Sequence, residues 1–358
     1  MITKEQTWPE LQSERPLVIA GPCSAETEDQ VLQTALQIHQ VCPTAIYRAG
    51  IWKPRTRPGN FEGVGAKGLK WLTRVKQEVG LKVTIEVANV KHVYEALKAG
   101  IDIFWIGART TANPFAVQEI AEALRGVDVP VLVKNPINRD LGLWLGAIER
   151  MQQVGVERIG AIHRGVTPHH KTQYRNQPEW NMAIELRQEM PGMLLINDPS
   201  HIAGKRDLVP KVAQTAMDLS FDGLMIETHI NPEHALSDSA QQVTPSHLGS
   251  LLAQLVMREE TPDGVELETI EELRSSINQI DHQLIDLLAS RMEVVKDIAN
   301  FKEQNQMSIY QESRWQQLLS RNIQMGEEVD LQEGFISKIF HVIHQESLER
   351  QDKMLKRP

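Results

Sequence analysis

Over roughly the first two thirds of the chain, short apolar runs alternate with longer segments in which apolar residues return every three or four positions. The runs are Leu17–Ala20, Ala45–Arg48, Val83–Val87, Ile103–Ile106, Val131–Lys134, Ile159–His163, Leu194–Asn197 and Leu224–Glu227. Between them lie Asp29–Val41, Val90–Ala99, Ala116–Leu124, Trp144–Val154, Glu179–Gln188, Val209–Leu219 and Pro245–Met257. Uninterrupted apolar runs of this length predict strands buried on both faces, and the longer spacing predicts amphipathic helices covering them. Eight strands, each followed by a helix or long loop within residues 1–257, predict an α/β (β/α)8 barrel. A doubly wound open sheet is the alternative, but no GxGxxG follows the first strand.

The pattern changes near Met257. Residues 258–266 are polar and rich in breakers, and read as a linker. Beyond it Leu273, Ile277, Ile280, Leu284 and Leu287 keep helical spacing. One helix is expected over Glu268–Gln304, about 55 Å long at 1.5 Å per residue, which suits a helix lying along a partner. Two more are expected over Glu312–Met325 and Leu331–Met354, split near Gly326. Residues 267–358 are thus expected to be a separate all-helical domain.

Composition narrows the classes. The formal net charge is -9, so no basic face for nucleic acid is expected. No apolar run approaches a membrane span, and the first residues lack the apolar core of a signal peptide. The two cysteines, Cys23 and Cys42, form no CxxC. A cytoplasmic location follows as the expectation.

Against this acidic background, Arg48, Lys53, Arg55 and Arg57 crowd one loop broken by Gly50, Pro54 and Pro58. Cations held in a shaped loop suit a small phosphate or carboxylate ligand. Barrel sites form where strands end, and the other predicted ends carry Cys23, Glu86, Arg109, Lys134, His163-Arg164, Asp198 with His201, and Glu227. Barrel closure brings the first, seventh and eighth strands together, so Cys23, His201, Glu227 and Asp238 form a candidate metal set. Zinc, iron, manganese and cobalt are all compatible with such mixed donors.

The motifs Gly21-Pro22-Cys23-Ser24, Arg48-Ala49-Gly50-x-x-Lys53-Pro54-Arg55-Thr56, Gly107-Ala108-Arg109, Ile162-His163-Arg164-Gly165 and Asp198-Pro199-Ser200-His201 occur in this order. Together they resemble type I 3-deoxy-D-arabino-heptulosonate 7-phosphate (DAHP) synthases of the β subfamily. The resemblance implies condensation of phosphoenolpyruvate with erythrose 4-phosphate, the entry to aromatic biosynthesis. It implies one divalent metal on Cys23, His201, Glu227 and Asp238, with Mn2+ expected and Fe2+, Co2+ or Zn2+ compatible. Arg48, Lys53 and Lys134 would face the carboxylate and enol side of phosphoenolpyruvate, and Arg109 and Arg164 its phosphate. Arg55 and Thr56 would hold the phosphate of erythrose 4-phosphate. The runner-up is the related 3-deoxy-octulosonate 8-phosphate synthase, which has a Lys-Ala-Asn-Arg-Ser pattern where this chain has Lys53-Pro54-Arg55-Thr56. About 15 residues precede the first strand, so regulation through an N-terminal ferredoxin-like domain is not expected.

Leu273-Arg274, Asp281, Arg291, Lys302, Arg314, Ser347 and Gln351 resemble the small all-α chorismate mutases, which rearrange chorismate to prephenate without a cofactor. Arg291 and Lys302 are about three helical turns apart and share a face. Arg274 stands about 42 Å from Lys302 along a straight helix. If both bind one substrate, as the resemblance implies, Arg274 comes from a second protomer, and an interlocked homodimer follows. Trp315 and Gln311 stand where some members of that family carry acidic residues. The helical domain is also expected to mediate feedback by chorismate or prephenate. An alternative makes it mainly a dimerising and regulatory module.

Overall fold

The computed structural model describes residues 8, 16–53, 61–168, 172–258 and 268–355. The chain divides into two compact units, Met1–Pro262 and Asp263–Pro358. Their boundary lies in the expected linker, most of which is outside the described residues.

In the first unit, eight parallel strands close in sequence order: β1 (Leu17–Gly21), β2 (Ile46–Arg48), β3 (Val83–Val87), β4 (Ile103–Ile106), β5 (Val131–Lys134), β6 (Ile159–His163), β7 (Leu194–Asn197) and β8 (Gly223–Glu227). Closure is made by β8 against β1, from Leu17 opposite Gly223 to Gly21 opposite Glu227. The connecting helices are α1 (Glu28–Val41), α2 (Lys67–Arg74), α3 (Val90–Lys98), α4 (Ala108–Thr111), α5 (Pro114–Leu124), α6 (Leu141–Gln153), α7 (Trp180–Glu189), α8 (Pro199–Ala203), α9 (Val209–Asp218) and α10 (Pro245–Gln254). Thr27, Asn89, Asp140 and Thr244 accept backbone hydrogen bonds at the starts of α1, α3, α6 and α10. These side chains satisfy orphan N–H groups and fix where each helix leaves its loop.

Strand periodicity sorts the apolar residues into two cores. Val18, Ala20, Phe104, Ile106, Val131, Val133, Leu224 and Ile226 point outward into the layer beneath the helices. Leu17, Ile19, Ile46, Ile103, Trp105, Leu132, Ile162, Leu194, Ile196 and Met225 fill the barrel, joined by Trp8. The interior is therefore packed, and a ligand has room only above these side chains. Gly160 on β6 maintains that packing: a Cβ there would meet Leu132 Cδ2 at 2.7 Å and Leu194 Cδ2 at 3.0 Å.

The second unit contains α11 (Glu268–Gln304), α12 (Glu312–Glu327) and α13 (Glu333–Leu355). Among the described residues, Met292, Val295 and Ala299 on α11 and Ile336 on α13 are its buried hydrophobic side chains. The break expected near Gly326 is found, with α12 ending one residue later at Glu327 and α13 beginning at Glu333. Gly326 serves packing there, since a Cβ would lie 2.5 Å from Ile336 Cγ1. Leu273, Ile277, Ile280, Leu284 and Leu287, in the first half of α11, are each more than half exposed within this single chain.

Candidate active site

The period that fills the barrel also builds its mouth. Two residues beyond Ile46, Leu132 and Met225, on the same inward face, stand Arg48, Lys134 and Glu227. The same step from Ile162 and Ile196 reaches Arg164 and Asp198. Arg48 and Glu227 are buried and lie 3.3 Å apart, Nη2 to Oε1. The Arg48 guanidinium carbon is 5.0 Å from the centre of a Trp105 ring, and Lys134 Nζ is 5.9 Å from it. Trp105 thus floors the site and offers a π face to two cations. Its Nε1 donates to Glu86 Oε2 at 3.3 Å.

Cys23 enters through a glycine turn. Gly21 has φ +144°, and a Cβ on it would fall 2.0 Å from the Arg48 carbonyl oxygen. The backbone can therefore pass β2 only with glycine at this position. Cys23 Sγ lies 3.3 Å from Asp238 Oδ2, and Lys53 Nζ donates to both Cys23 O at 2.9 Å and Sγ at 3.0 Å. Gly50 permits that approach, because a Cβ would meet Cys23 O at 2.4 Å. Cys23, Glu227 and Asp238 each present one donor atom within 4.8 Å of the others. His201 Nε2 is 3.7 Å from Glu227 Oε1, so the imidazole adjoins this trio without belonging to that tightest group. Its Nδ1 faces Asp198 Oδ2 at 2.8 Å.

Asp198 is a hub. It caps α8 by accepting from His201 N at 3.1 Å, and it pairs with Lys134 at 2.6 Å. Burial alone would raise its carboxyl, but the charges of His201 and Lys134 hold it well below the usual carboxylate range. Burial, opposed by Asp198, lowers Lys134. Burial followed by the negative charge of Glu227 pushes the Cys23 thiol up to about 12, with Lys53 acting the other way. Arg164 is brought down to about 10 by burial and remains charged at neutral pH.

These residues suit a divalent transition ion. One sulfur and two carboxylates converge, with an imidazole at their edge, and Glu227 Oε1 accepts no well-aligned hydrogen bond although it is fully buried. A buried acceptor left this way is costly unless a cation completes it, and the mixed donor set matches a transition metal better than Ca2+ or Mg2+.

In the helical unit, Arg291 Nη1 donates to Ser347 Oγ at 2.7 Å, and Gln351 Nε2 donates to Ser347 O at 3.1 Å. Lys302 Nζ donates to Ile309 O at 2.6 Å. A cavity of about 450 Å³ is lined by Arg291, Arg314, Arg321 and Phe340 among others. Trp315 stacks on His344 with ring centroids 4.0 Å apart. Burial lowers both Arg291 and Lys302. Arg274 is exposed and paired with Glu271 on its own helix.

Comparison with known proteins agrees with both geometries. The model of the DAHP synthetase I family matches residues 3–261. The chain belongs to that family. A phospho-2-dehydro-3-deoxyheptonate aldolase of Thermotoga maritima is 30% identical over 226 residues, covering 63% of this chain and 64% of the relative. The chain thus spans less than two thirds of that relative's length. A crystal structure of the DAHP synthase from the same organism superposes with TM-score 0.61 and 28% identity, covering 66% of this chain and 67% of that one. A 2-dehydro-3-deoxyphosphooctonate aldolase of Legionella pneumophila is more distant, 26% identical over 271 residues, 69% of this chain and 93% of the relative. The chorismate mutase type II model matches residues 273–352. The chain is therefore a DAHP synthetase I domain followed by a chorismate mutase type II domain.

At the mouth of the DAHP synthetase I barrel, Arg48, Lys53, Cys23, Lys134, His201, Glu227 and Asp238 are linked by the contacts above. Arg164 joins them through Asn176, which accepts from its Nη1 at 2.9 Å. Arg109 lies on α4, beyond the tip of β4. Arg55 and Thr56 lie outside the described residues. Arg175, Asn176, Gln241 and Gln242 were missed by sequence reasoning. Gln242 Oε1 accepts from Cys23 N at 3.0 Å, and Gln241 Nε2 donates to Glu227 Oε2 at 2.6 Å. The adjacent amides Gln241-Gln242 after Asp238 were the available signal.

Proposed function

We propose that the barrel condenses phosphoenolpyruvate with erythrose 4-phosphate and water, giving DAHP and phosphate. The supporting observation is the gathering of Arg48, Lys53, Lys134 and Arg164 around the Cys23, Glu227 and Asp238 donors. Two phosphorylated substrates repel each other, and cations fixed before binding offset that repulsion without reorganising. Arg48, Lys53 and Lys134 face the carboxylate and enol side of phosphoenolpyruvate, and Arg164 with Arg109 holds its phosphate. Arg55 and Thr56 hold the phosphate of erythrose 4-phosphate. The methylene carbon of phosphoenolpyruvate then forms a bond to the aldehyde carbon. Water adds to the electron-poor carbon left behind, and phosphate departs with cleavage of its bond to that carbon. Cys23, His201, Glu227 and Asp238 would hold a divalent ion, Mn2+ in our reading, which supplies Lewis-acid polarisation of the aldehyde oxygen.

The relative that acts on an octulosonate keeps a second reading open for the barrel. Phosphate release measured with erythrose 4-phosphate against arabinose 5-phosphate separates them. The proposal expects turnover with the four-carbon aldehyde, and preference for the five-carbon aldehyde overturns it.

The helical unit rearranges chorismate to prephenate, with Arg291, Lys302 and Arg314 engaging its carboxylates and ether oxygen beside Ser347 and Gln351. Arg274 comes from a second copy of the chain, and the exposed stripe Leu273, Ile277, Ile280, Leu284 and Leu287 is the buried seam of that homodimer. Chorismate or prephenate bound there feeds back on the barrel. Chorismate turnover by the whole chain tests the first statement. Inhibition of phosphate release by prephenate tests the last. A chain that binds prephenate and regulates but never converts chorismate would leave only the dimerising and regulatory role.

A further inference from the structure

The loop between β6 and α7 carries Arg175 and Asn176, which no reading of the reaction has used. Asn176 is buried. Its Oδ1 accepts from Arg164 Nη1 at 2.9 Å, while its Nδ2 donates to His201 O at 2.6 Å. Arg175 Nη1 donates to Asp238 Oδ1 at 2.8 Å and to Gln241 Oε1 at 2.8 Å. Gln241 passes the contact on through its 2.6 Å bond to Glu227 Oε2. The dipeptide is fixed from behind, where Arg175 N donates to Ile202 O at 3.0 Å and Asn176 N to the same oxygen at 3.2 Å. Gly204, at φ +67°, leaves the necessary room, since a Cβ would sit 2.3 Å from Arg175 Cβ.

We infer that Arg175 and Asn176 are positioning residues that brace the proposed metal ligands and the phosphate-binding Arg164 against one another. Asp238 shows why a brace is needed. It holds φ +50°, a left-handed conformation uncommon for residues other than glycine, and two of its oxygens serve different partners, Cys23 and Arg175. Groups that orient metal ligands commonly change metal affinity about 10- to 100-fold when removed. Asn176 adds something a simple ligand support lacks. It contacts a metal-side residue and the phosphate cation at once, so it makes occupancy of one half of the site favour the other.

This inference rests on reading the mouth as a DAHP synthase centre, and the test separates the two. Mn2+ affinity of the full chain is measured by competition with a chromophoric chelator, with and without phosphoenolpyruvate, alongside KM and kcat. If the wild-type chain neither binds Mn2+ nor releases phosphate, the functional reading fails. If the wild type does both, Arg175→Met is expected to lose at least about tenfold in Mn2+ affinity with KM for phosphoenolpyruvate within about twofold, and Arg175→Lys to recover part of the loss. Asn176→Ala is expected to weaken Mn2+ binding and raise that KM together, and to shrink the gain in Mn2+ affinity caused by phosphoenolpyruvate. Melting curves accompany each variant, and should Arg175→Met not fold, Arg175→Lys and Asn176→Ala carry the test. Mn2+ affinity within twofold of wild type in folded Asn176→Ala and Arg175-substituted chains overturns the brace.

Discussion

Lys53 Nζ lies 3.0 Å from the sulfur of Cys23 and 2.9 Å from its carbonyl oxygen. A cation expected to face phosphoenolpyruvate therefore touches a residue expected to hold the metal. Loss of this ammonium should strip charge stabilisation from the reacting centre and leave the other metal donors in place. Lys53→Met is predicted to lower kcat/KM for condensation by about 100-fold or more, with Mn2+ affinity unchanged or tighter. Steady-state kinetics and chelator competition check both halves.

Arg48 and Glu227 form a buried pair at 3.3 Å. Removing one partner strands the other charge in the barrel mouth, at a cost of about 3–5 kcal/mol. Arg48→Met should therefore lower the urea midpoint for unfolding of the barrel unit as well as abolish condensation. An unchanged midpoint would mean that Gln241 and His201, both beside Glu227, keep it satisfied without Arg48.

The strands and the inward face of the barrel were legible in the sequence because both depend on local period. Val83–Val87, Ile103–Ile106, Val131–Lys134, Ile159–His163 and Leu194–Asn197 begin and end where the apolar runs do. The polar residues at strand ends were readable for the same reason. The helix Lys67–Arg74 was not placed, although it buries Leu69, Trp71 and Leu72, because the sequence before it is rich in Gly and Pro, which signal irregular structure. Gly326 marked the break between the last two helices to within a residue, but its close packing against Ile336 of α13 is tertiary and was not readable. Arg175 and Asn176 were invisible for a similar reason. Their partners Arg164, His201, Asp238 and Gln241 lie 12 to 66 positions away and meet them only in the closed barrel.

His163 at the tip of β6 is buried with Asn197 Nδ2 3.1 Å from its Nδ1 and with Trp180 and Phe221 around the ring. Burial pushes its imidazole down to about 4, whereas the unfolded chain protonates near the ordinary value of about 6.5. The unfolded state then binds more protons between these values, so stability is complete above about pH 6.5 and is lost as pH falls toward 4. The loss from this group should reach about 3 kcal/mol. Urea unfolding across that window in wild type and His163→Gln checks it: the variant should show a shallower pH dependence.

Arg291 reaches Ser347 across the helical unit, and both lie outside the barrel unit. Arg291→Ala in the whole chain is predicted to reduce chorismate kcat/KM by about 100-fold or more while condensation without prephenate stays near wild type. Loss of both activities together would show that the mutase domain supports the barrel structurally.

The central claim is that cations and one divalent ion at the strand tips drive the joining of two phosphorylated substrates. The most direct measurement is phosphate release from phosphoenolpyruvate and erythrose 4-phosphate by the metal-stripped whole chain, before and after stoichiometric Mn2+, beside Cys23→Ala treated identically. The account predicts negligible release from the stripped chain, recovery with Mn2+, and little recovery in Cys23→Ala. Equal rates in all three samples would contradict it.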